Sequence, residues 1–128
     1  MADKPRKYKI LVIDDDELIR EVVKLALSHA DFEAVALEDP KLALAVVKQS
    51  KPDLILLDLY MPEINGLDLL RRLRADPAAK EIPIIVFTGS NETIDQVVAA
   101  DAGAYEYVKK PVSGEALIAK IRKVLKLD

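Results

Sequence analysis

Five polar side chains stand at or near the ends of short apolar runs, and their types suit the binding of anions and cations. Carboxylates can act as nucleophiles or bind a hard cation, whereas a hydroxyl and an ammonium group can bind an oxyanion. The chain has no cysteine and one histidine, which excludes thiolate and multi-histidine metal sites and disfavours a Ser-His-Asp triad. The candidate residues are Asp14, Asp15, Asp58, Thr88 and Lys110.

The elements that must position these side chains are five short apolar runs, which predict β-strands buried on both faces. Amphipathic helical patterns separate the runs, and the clearest of them is the last, which begins near Leu117. Alternating strands and helices indicate a parallel sheet with right-handed crossovers, and therefore a doubly wound α/β fold. The predicted strands cover residues 9–13, 32–37, 53–57, 83–87 and 105–108.

Ligands of such sheets bind beyond the carboxyl ends of the strands, which is where the polar residues fall. If the first and third strands are neighbours, Asp14, Asp15 and Asp58 converge. At ~5 Å and an effective dielectric constant of ~20, each like-charged pair costs roughly 3 kcal/mol, so a compensating charge is needed. Lys110 supplies one positive charge, and Mg²⁺, which prefers carboxylate oxygens and shares its shell with phosphate, would supply two. The alternative, that the acids only cap a helix or occupy a turn, explains one strand end and not four.

Composition limits the class of protein. The 128 residues suit one domain, and 51% hydrophobic residues allow a buried core. A net charge of −3 argues against nucleic-acid binding, and no apolar run is long enough to cross a membrane. The N-terminal residues lack the apolar segment of a secretory signal. We expect a cytoplasmic domain over residues 9–127 that follows a flexible N-terminal arm at residues 1–8.

Four motifs carry a resemblance to a known family. The chain contains, in order, ILVIDDD, DLILLDLYMPEINGLDLLRRL, PIIVFTGS and AGAYEYVKKP. Together they resemble the receiver domain of two-component response regulators over residues 9–125. The resemblance implies a (βα)5 flavodoxin-like fold whose five parallel strands have the order 2-1-3-4-5, with helices on both faces of the sheet.

The resemblance also implies a role for each polar residue at the strand ends. Asp58 matches the phosphoacceptor, and Lys110 matches the lysine that pairs with the phosphoryl group. Asp14 and Asp15 match the acidic pair that binds Mg²⁺, with Asp15 as the direct ligand. The backbone carbonyl of Tyr60 matches a further ligand of the metal.

Three other positions match residues that govern switching and signal lifetime in receivers. The Thr88 hydroxyl follows the phosphoryl group, and the Tyr107 ring changes rotamer in response. The side chains of Tyr60 and Ser90 flank the approach of water to the phosphoryl group and are expected to tune its lifetime.

The implied partners are a sensor histidine kinase or a phosphotransfer protein, and a downstream protein partner or effector domain. The implied switching surface comprises the fourth helix, the fifth strand and the fifth helix, which could also form a homodimer. No direct contact of this chain with nucleic acid or membrane is expected. Such a domain takes part in its own phosphoryl transfer and autodephosphorylation and is not an enzyme with a separate substrate.

Three alternatives remain at this point. An aspartate-nucleophile phosphatase would need a second carboxylate two residues after Asp58, where Tyr60 stands. A flavin-binding module would need a loop rich in glycine and hydroxyl residues after the first strand, where acids stand. A degenerate receiver would act only as a docking platform, and a small-molecule phosphodonor would distinguish it from a functional one.

Overall fold

The computed structural model describes residues 7–62, 64–89 and 93–127. Within these residues five strands alternate with five helices, as the sequence predicts. The strands are β1 (Lys9–Ile13), β2 (Glu33–Leu37), β3 (Leu54–Leu57), β4 (Ile84–Thr88) and β5 (Glu106–Lys109). The helices are α1 (Glu17–His29), α2 (Ala43–Ser50), α3 (Gly66–Ala75), α4 (Thr93–Asp101) and α5 (Gly114–Leu125).

The strands form one parallel sheet in the order β2-β1-β3-β4-β5, which confirms the predicted doubly wound topology. β1 lies between β2 and β3, and its last residue Ile13 pairs with Leu57 at the end of β3. The residues that follow these two strands therefore leave the same edge of the sheet side by side.

Each face of the sheet carries its own hydrophobic core, because successive strand residues point to opposite faces. Leu11 and Ile13 of β1 pack with α2, α3 and α4 on one face. Ile10 and Val12 of the same strand pack with α1 and α5 on the other face. All four of these side chains are essentially inaccessible to solvent, which explains why the strands read as continuous apolar runs.

Four of the five strands begin one residue later than predicted, and for β2 and β3 hydrogen bonds account for the difference. The N–H of Phe32 donates to the carbonyl of Leu27 at 2.9 Å, so this residue closes α1 and does not join β2. The Asp53 carboxylate accepts the N–H of Lys9 at 2.8 Å, so its side chain anchors β1 from outside β3. Thr88, which was expected to follow β4, is its last residue and pairs with Lys109.

The helix starts follow capping chemistry. The Asp16 carboxylate accepts the N–H groups of Leu18 and Ile19 and caps α1. Asp39 caps a 3-10 turn, Pro40–Leu42, that leads into α2.

Two glycines, at 66 and 103, stand where a larger residue would not fit, and of these two only Gly103 has a positive φ. Gly103 has φ +111°, and the Arg74 side chain packs against it. An added Cβ at this position would lie 2.5 Å from Arg74 Cγ. Gly66 is instead the first residue of α3, where an added Cβ would lie 2.4 Å from Leu59 Cα. Glycine is required at 66 by close backbone packing.

The predicted flexible arm lies mostly outside the described residues, which begin at residue 7. Tyr8 already packs against the core that α1 and α5 cover, and its carbonyl accepts the N–H of Glu33 at 2.9 Å. Among the described segments, none of the helices combines the length and apolarity that a bilayer span needs.

Candidate functional site

The carboxyl edge of the sheet brings the predicted polar residues together. Asp14 follows β1, Asp58 follows β3, Thr88 ends β4 and Lys110 follows β5. Three of them are buried, with exposed fractions of 2% for Asp14, 7% for Asp58 and 0% for Thr88. These are the buried polar residues in the described part of the chain, so the polar interior of the protein is concentrated at this edge.

Asp14 is held by partners on both of its carboxylate oxygens. Its Oδ2 accepts a hydrogen bond from Lys110 Nζ at 2.6 Å, and its Oδ1 accepts the backbone N–H of Asp16 at 3.0 Å. Its backbone carbonyl accepts a hydrogen bond from Arg20 Nη1 at 2.8 Å. The sequence did not single out Arg20, although its position one turn into α1 brings it back to the end of β1. Asp14 is therefore fixed in place, while Asp15 beside it is exposed to solvent.

Asp58 lies within reach of the same lysine but is held less tightly. Its Oδ2 is 3.7 Å from Lys110 Nζ, and its Oδ1 accepts the backbone N–H of Tyr60 at 3.2 Å. Burial raises the pKa of Asp58 above its usual value, and the charge of Asp14 raises it further. Lys110 chiefly, and then the Tyr60 N–H, act in the opposite direction on this pKa without cancelling the effect of burial.

The three carboxylates form a group that suits a hard cation. One oxygen of each of Asp14, Asp15 and Asp58 can be chosen so that all three lie within 4.8 Å of one another. Two of these acids are buried, and oxygen-only ligand sets of this kind are what Mg²⁺ prefers. The residues present therefore fit the metal that receiver domains generally bind at an acidic pocket. The carbonyl of Tyr60, two residues after Asp58, stays a predicted additional ligand.

Thr88 carries a buried hydroxyl that is not satisfied within the described part of the chain. Its Oγ1 has no hydrogen-bond partner of ordinary geometry there. The hydroxyl is close enough to the Asp58 carboxylate to lower the pKa of Asp58, and it is the smallest of the influences on that pKa. Unpaired buried polar groups are unfavourable, so a site for an oxygen-rich ligand beside this hydroxyl is a natural explanation. Its backbone carbonyl accepts the N–H of Lys110 at 2.7 Å, which ties the two residues together.

Tyr107 lies on β5 opposite Val86 of β4, two residues before Thr88. Its ring is half-buried and packs against the core on the side of α3 and α4.

Lys110 also contacts the Phe87 ring, whose centroid lies 5.2 Å from Lys110 Nζ. Phe87 was predicted only as a strand residue.

Tyr60 was expected beside the acceptor, and the structure adds a partner for its side chain. The phenol O–H donates a hydrogen bond to the carboxylate of Asp95 in the first turn of α4. No motif in the sequence pointed to Asp95, because the contact joins residues 35 positions apart. Ser90, which was predicted to flank the site with Tyr60, lies outside the described residues.

Fold and site together define a receiver domain of two-component signalling. The chain belongs to the response regulator receiver domain family, which matches residues 10–122. Members of this family are signalling domains that work with histidine kinases and output domains.

The chain is similar to curated relatives and to solved structures. It is 38% identical over 116 residues to the DNA-binding response regulator MtrA of Mycolicibacterium smegmatis and 39% identical over 117 residues to the phosphate regulon transcriptional regulatory protein PhoB of Pseudomonas aeruginosa. Each alignment covers 91% of this chain but only 50% and 51% of the two relatives, so the chain spans about half their length.

Two solved structures match nearly end to end. The chemotaxis protein CheY4 of Vibrio cholerae superimposes with a TM-score of 0.88 and 27% identity, covering 93% of this chain and 99% of that one. The BeF3-activated N-terminal receiver domain of Klebsiella pneumoniae RstA gives a TM-score of 0.83 and 28% identity, covering 90% and 96%.

Proposed function

We propose that Asp58 accepts a phosphoryl group from a histidine kinase or a phosphotransfer protein. The observation that carries this proposal is a buried carboxylate that lies 3.7 Å from a lysine and next to two further acids. Asp58 attacks the phosphorus atom of the donor, a P–O bond forms, and the P–N bond of the phosphohistidine breaks. The electron pair of that bond returns to the imidazole nitrogen, and Asp58 becomes an acyl phosphate.

Four residues prepare the site for this transfer. Asp14 and Asp15, with Asp58, would hold Mg²⁺, which when bound neutralises charge on the phosphoryl oxygens. Lys110 is positioned to pair with a phosphoryl oxygen on Asp58 after a small movement away from Asp14. Thr88 brings a buried hydroxyl without a described partner, which can donate to a second oxygen.

The phosphoryl group changes the local charge and so changes the packing. It adds about two negative charges and three acceptor oxygens at the end of β3. Thr88 and Lys110 move toward them, and the half-buried Tyr107 ring turns into the space behind Thr88. The surface that responds comprises α4, β5 and α5, which we assign to a downstream partner, an effector domain or a second copy of the chain. This is a shift between two packings of one fold.

The similarity to regulators about twice as long as this chain supports our proposal that the output lies outside the receiver domain. MtrA is a DNA-binding response regulator by name, and we propose that any such activity of this protein lies outside the receiver domain. The acidic net charge of −3 supports a receiver that does not itself bind nucleic acid. We place the domain in the cytoplasm, where phosphodonors and Mg²⁺ are available.

Intact-mass spectrometry after incubation with Mg²⁺ and acetyl phosphate or phosphoramidate tests the proposal. The wild type should gain one phosphoryl group, EDTA should prevent the gain, and Asp58→Asn should abolish it. Asp101→Asn, at the exposed end of α4, is the matched control and should react like the wild type. A full adduct on Asp58→Asn would overturn the assignment. No adduct on the wild type would instead favour a docking platform without phosphorylation.

A further inference from the structure

Tyr60 connects the acceptor carboxylate with α4. Its backbone N–H donates to Asp58 Oδ1 at 3.2 Å, and its phenol O–H donates to the Asp95 carboxylate. Asp58 follows β3, whereas Asp95 lies on the helix that follows β4. Because β3 and β4 are neighbours in the sheet, about 4.8 Å apart, the ring joins the loop after β3 to the first turn of α4 at the edge where Asp58 emerges.

Burial does not fix the orientation of this ring, since 58% of Tyr60 is exposed to solvent. An exposed side chain ordinarily exchanges between staggered rotamers on a picosecond to nanosecond timescale. A hydrogen bond to an ionised carboxylate is among the stronger side-chain contacts and selects one of these rotamers. The contact with Asp95 therefore favours the orientation in which the ring lies across the edge of the sheet.

We propose that Asp95 is a positioning residue that holds the Tyr60 ring over the acceptor site and so limits the access of water to phosphorylated Asp58. This inference rests on the proposed phosphorylation of Asp58. Water must approach the phosphorus atom in line with the bond to Asp58, from the open edge of the sheet. A ring held between the loop after β3 and the first turn of α4 narrows that approach, whereas a ring that turns into solvent leaves it open.

The expected effect is moderate. If the tether favours the closed orientation about fivefold, the ring is open about one-sixth of the time, and without the tether about one-half of the time. Hydrolysis that requires the open orientation then accelerates about threefold. The lifetime of the acyl phosphate would shorten by that factor when either partner of the hydrogen bond is removed.

The test measures loss of the phosphoryl group by intact mass after the donor has been removed. Asp95→Ala and Tyr60→Phe should each lose it about threefold faster than the wild type. The double variant should be no faster than either single variant, because both remove the same hydrogen bond. Asp95→Asn keeps an acceptor oxygen and should decay more slowly than Asp95→Ala. The control Asp101→Ala removes an acid from the other end of the same helix and should leave the decay unchanged.

Two outcomes would overturn the role of Asp95. Decay of Asp95→Asn as fast as that of Asp95→Ala would mean that the charge of Asp95 acts and its hydrogen bond does not. Wild-type decay of Tyr60→Phe would mean that the bulk of the ring suffices without a tether.

A second measurement is independent of phosphorylation. The Hα–Hβ coupling constants of Tyr60 should indicate one χ1 rotamer in the wild type and averaged rotamers in Asp95→Ala. Equal averaging in both proteins would overturn the tether. Failure of the proposed function would look different, because the wild type would take up no phosphoryl group while the coupling constants still differed between the two proteins.

Discussion

The ammonium group of Lys110 lies 2.6 Å from Oδ2 of Asp14, and both side chains are largely withdrawn from solvent. The distance from the same nitrogen to Asp58 is 3.7 Å, so the lysine is closer to the acid assigned to the metal than to the acid assigned to the phosphoryl group. A divalent cation bound by Asp14 would lie close to the positive charge of Lys110, which already contacts the Asp14 carboxylate. Lysine and cation would therefore compete for one carboxylate.

Replacing Lys110 with methionine should strengthen Mg²⁺ binding about five- to tenfold, because the competing charge is removed from Asp14. One order of magnitude corresponds to about 1.4 kcal/mol, a reasonable value for one partly screened charge at close range. Isothermal titration with Mg²⁺ measures the change. Lys109→Met, the exposed neighbouring lysine, is the control and should bind the ion like the wild type. Weaker Mg²⁺ binding by Lys110→Met would contradict the competition.

The raised pKa of Asp58 predicts a stability that depends on pH. Because burial favours the protonated carboxyl in the folded state, the folded protein holds this proton more tightly than the unfolded chain. The contribution of Asp58 to the free energy of unfolding therefore falls as pH rises from about 3.8, the unfolded value, and is lost above the raised folded pKa. An ionised Asp58 destabilises the metal-free protein at neutral pH.

Asp58→Asn should accordingly raise the Tm of the metal-free protein at pH 7 by about 3–5 °C, the shift that about 1 kcal/mol produces in a domain of this size. The increase should shrink toward zero as the pH approaches 4, because the wild-type carboxyl is then neutral as well. Calorimetry in EDTA across this pH range measures both values. Asp101→Asn, which removes an exposed acid, should shift the Tm little at any pH. An increase in Tm that does not vary with pH would rule out ionisation of Asp58 as the cause.

Thr88→Ala and Tyr107→Ala should separate phosphorylation from switching. Both variants should still take up a phosphoryl group, more slowly for Thr88→Ala because one donor to the transferred oxygens is lost. The changes in backbone amide chemical shifts of α4 and β5 on phosphorylation should become smaller in each variant. Tyr105→Ala removes a neighbouring tyrosine that is 57% exposed and should leave those changes intact. Wild-type shift changes in both Thr88→Ala and Tyr107→Ala would argue against the proposed switch.

Arg74→Met should lower the free energy of unfolding by about 2–4 kcal/mol, because several carbonyls lose a charged donor in a partly buried region. Arg74 Nε donates to the carbonyl of Gly103 at 2.8 Å, and its Nη1 donates to the carbonyl of Ile82 at 2.7 Å and to two others nearby. Urea denaturation measures the loss. Arg72→Met, two residues earlier and exposed, should lose less than about 0.5 kcal/mol.

The order of the sheet and the residues at its carboxyl edge could be predicted from sequence because both follow from local patterns. Apolar runs identify buried strands, and the residues after them must emerge together. The part that could not be predicted consists of contacts between distant side chains. Nothing about Arg74 distinguishes it from Arg71 and Arg72 in a helical pattern, and only the folded chain brings the Gly103 carbonyl beside it.

The site follows the same division. The acids, the threonine and the lysine were expected at one edge, and they are there. That Lys110 would pair with Asp14 more closely than with Asp58 depends on distances of an ångström, which no residue pattern encodes. The hydrogen bond from the Tyr60 phenol to Asp95 likewise joins two different elements of the fold, and no residue pattern indicates it.

The hydrogen bonds that Arg74 donates restrict how α4 can move. The turn that follows this helix is bound to α3 through the Gly103 carbonyl, while the first turn is bound to the acceptor loop through Asp95. If α4 moves while the contacts of Arg74 are preserved, the C-terminal end of the helix stays in place. The helix then rotates about that end. The helix has nine residues and is about 13 Å long at 1.5 Å per residue, so a tilt of about 10° would carry its first turn about 2 Å. The displacement of α4 is therefore largest at its first turn, beside Asp58, and smallest at its other end, beside Gly103.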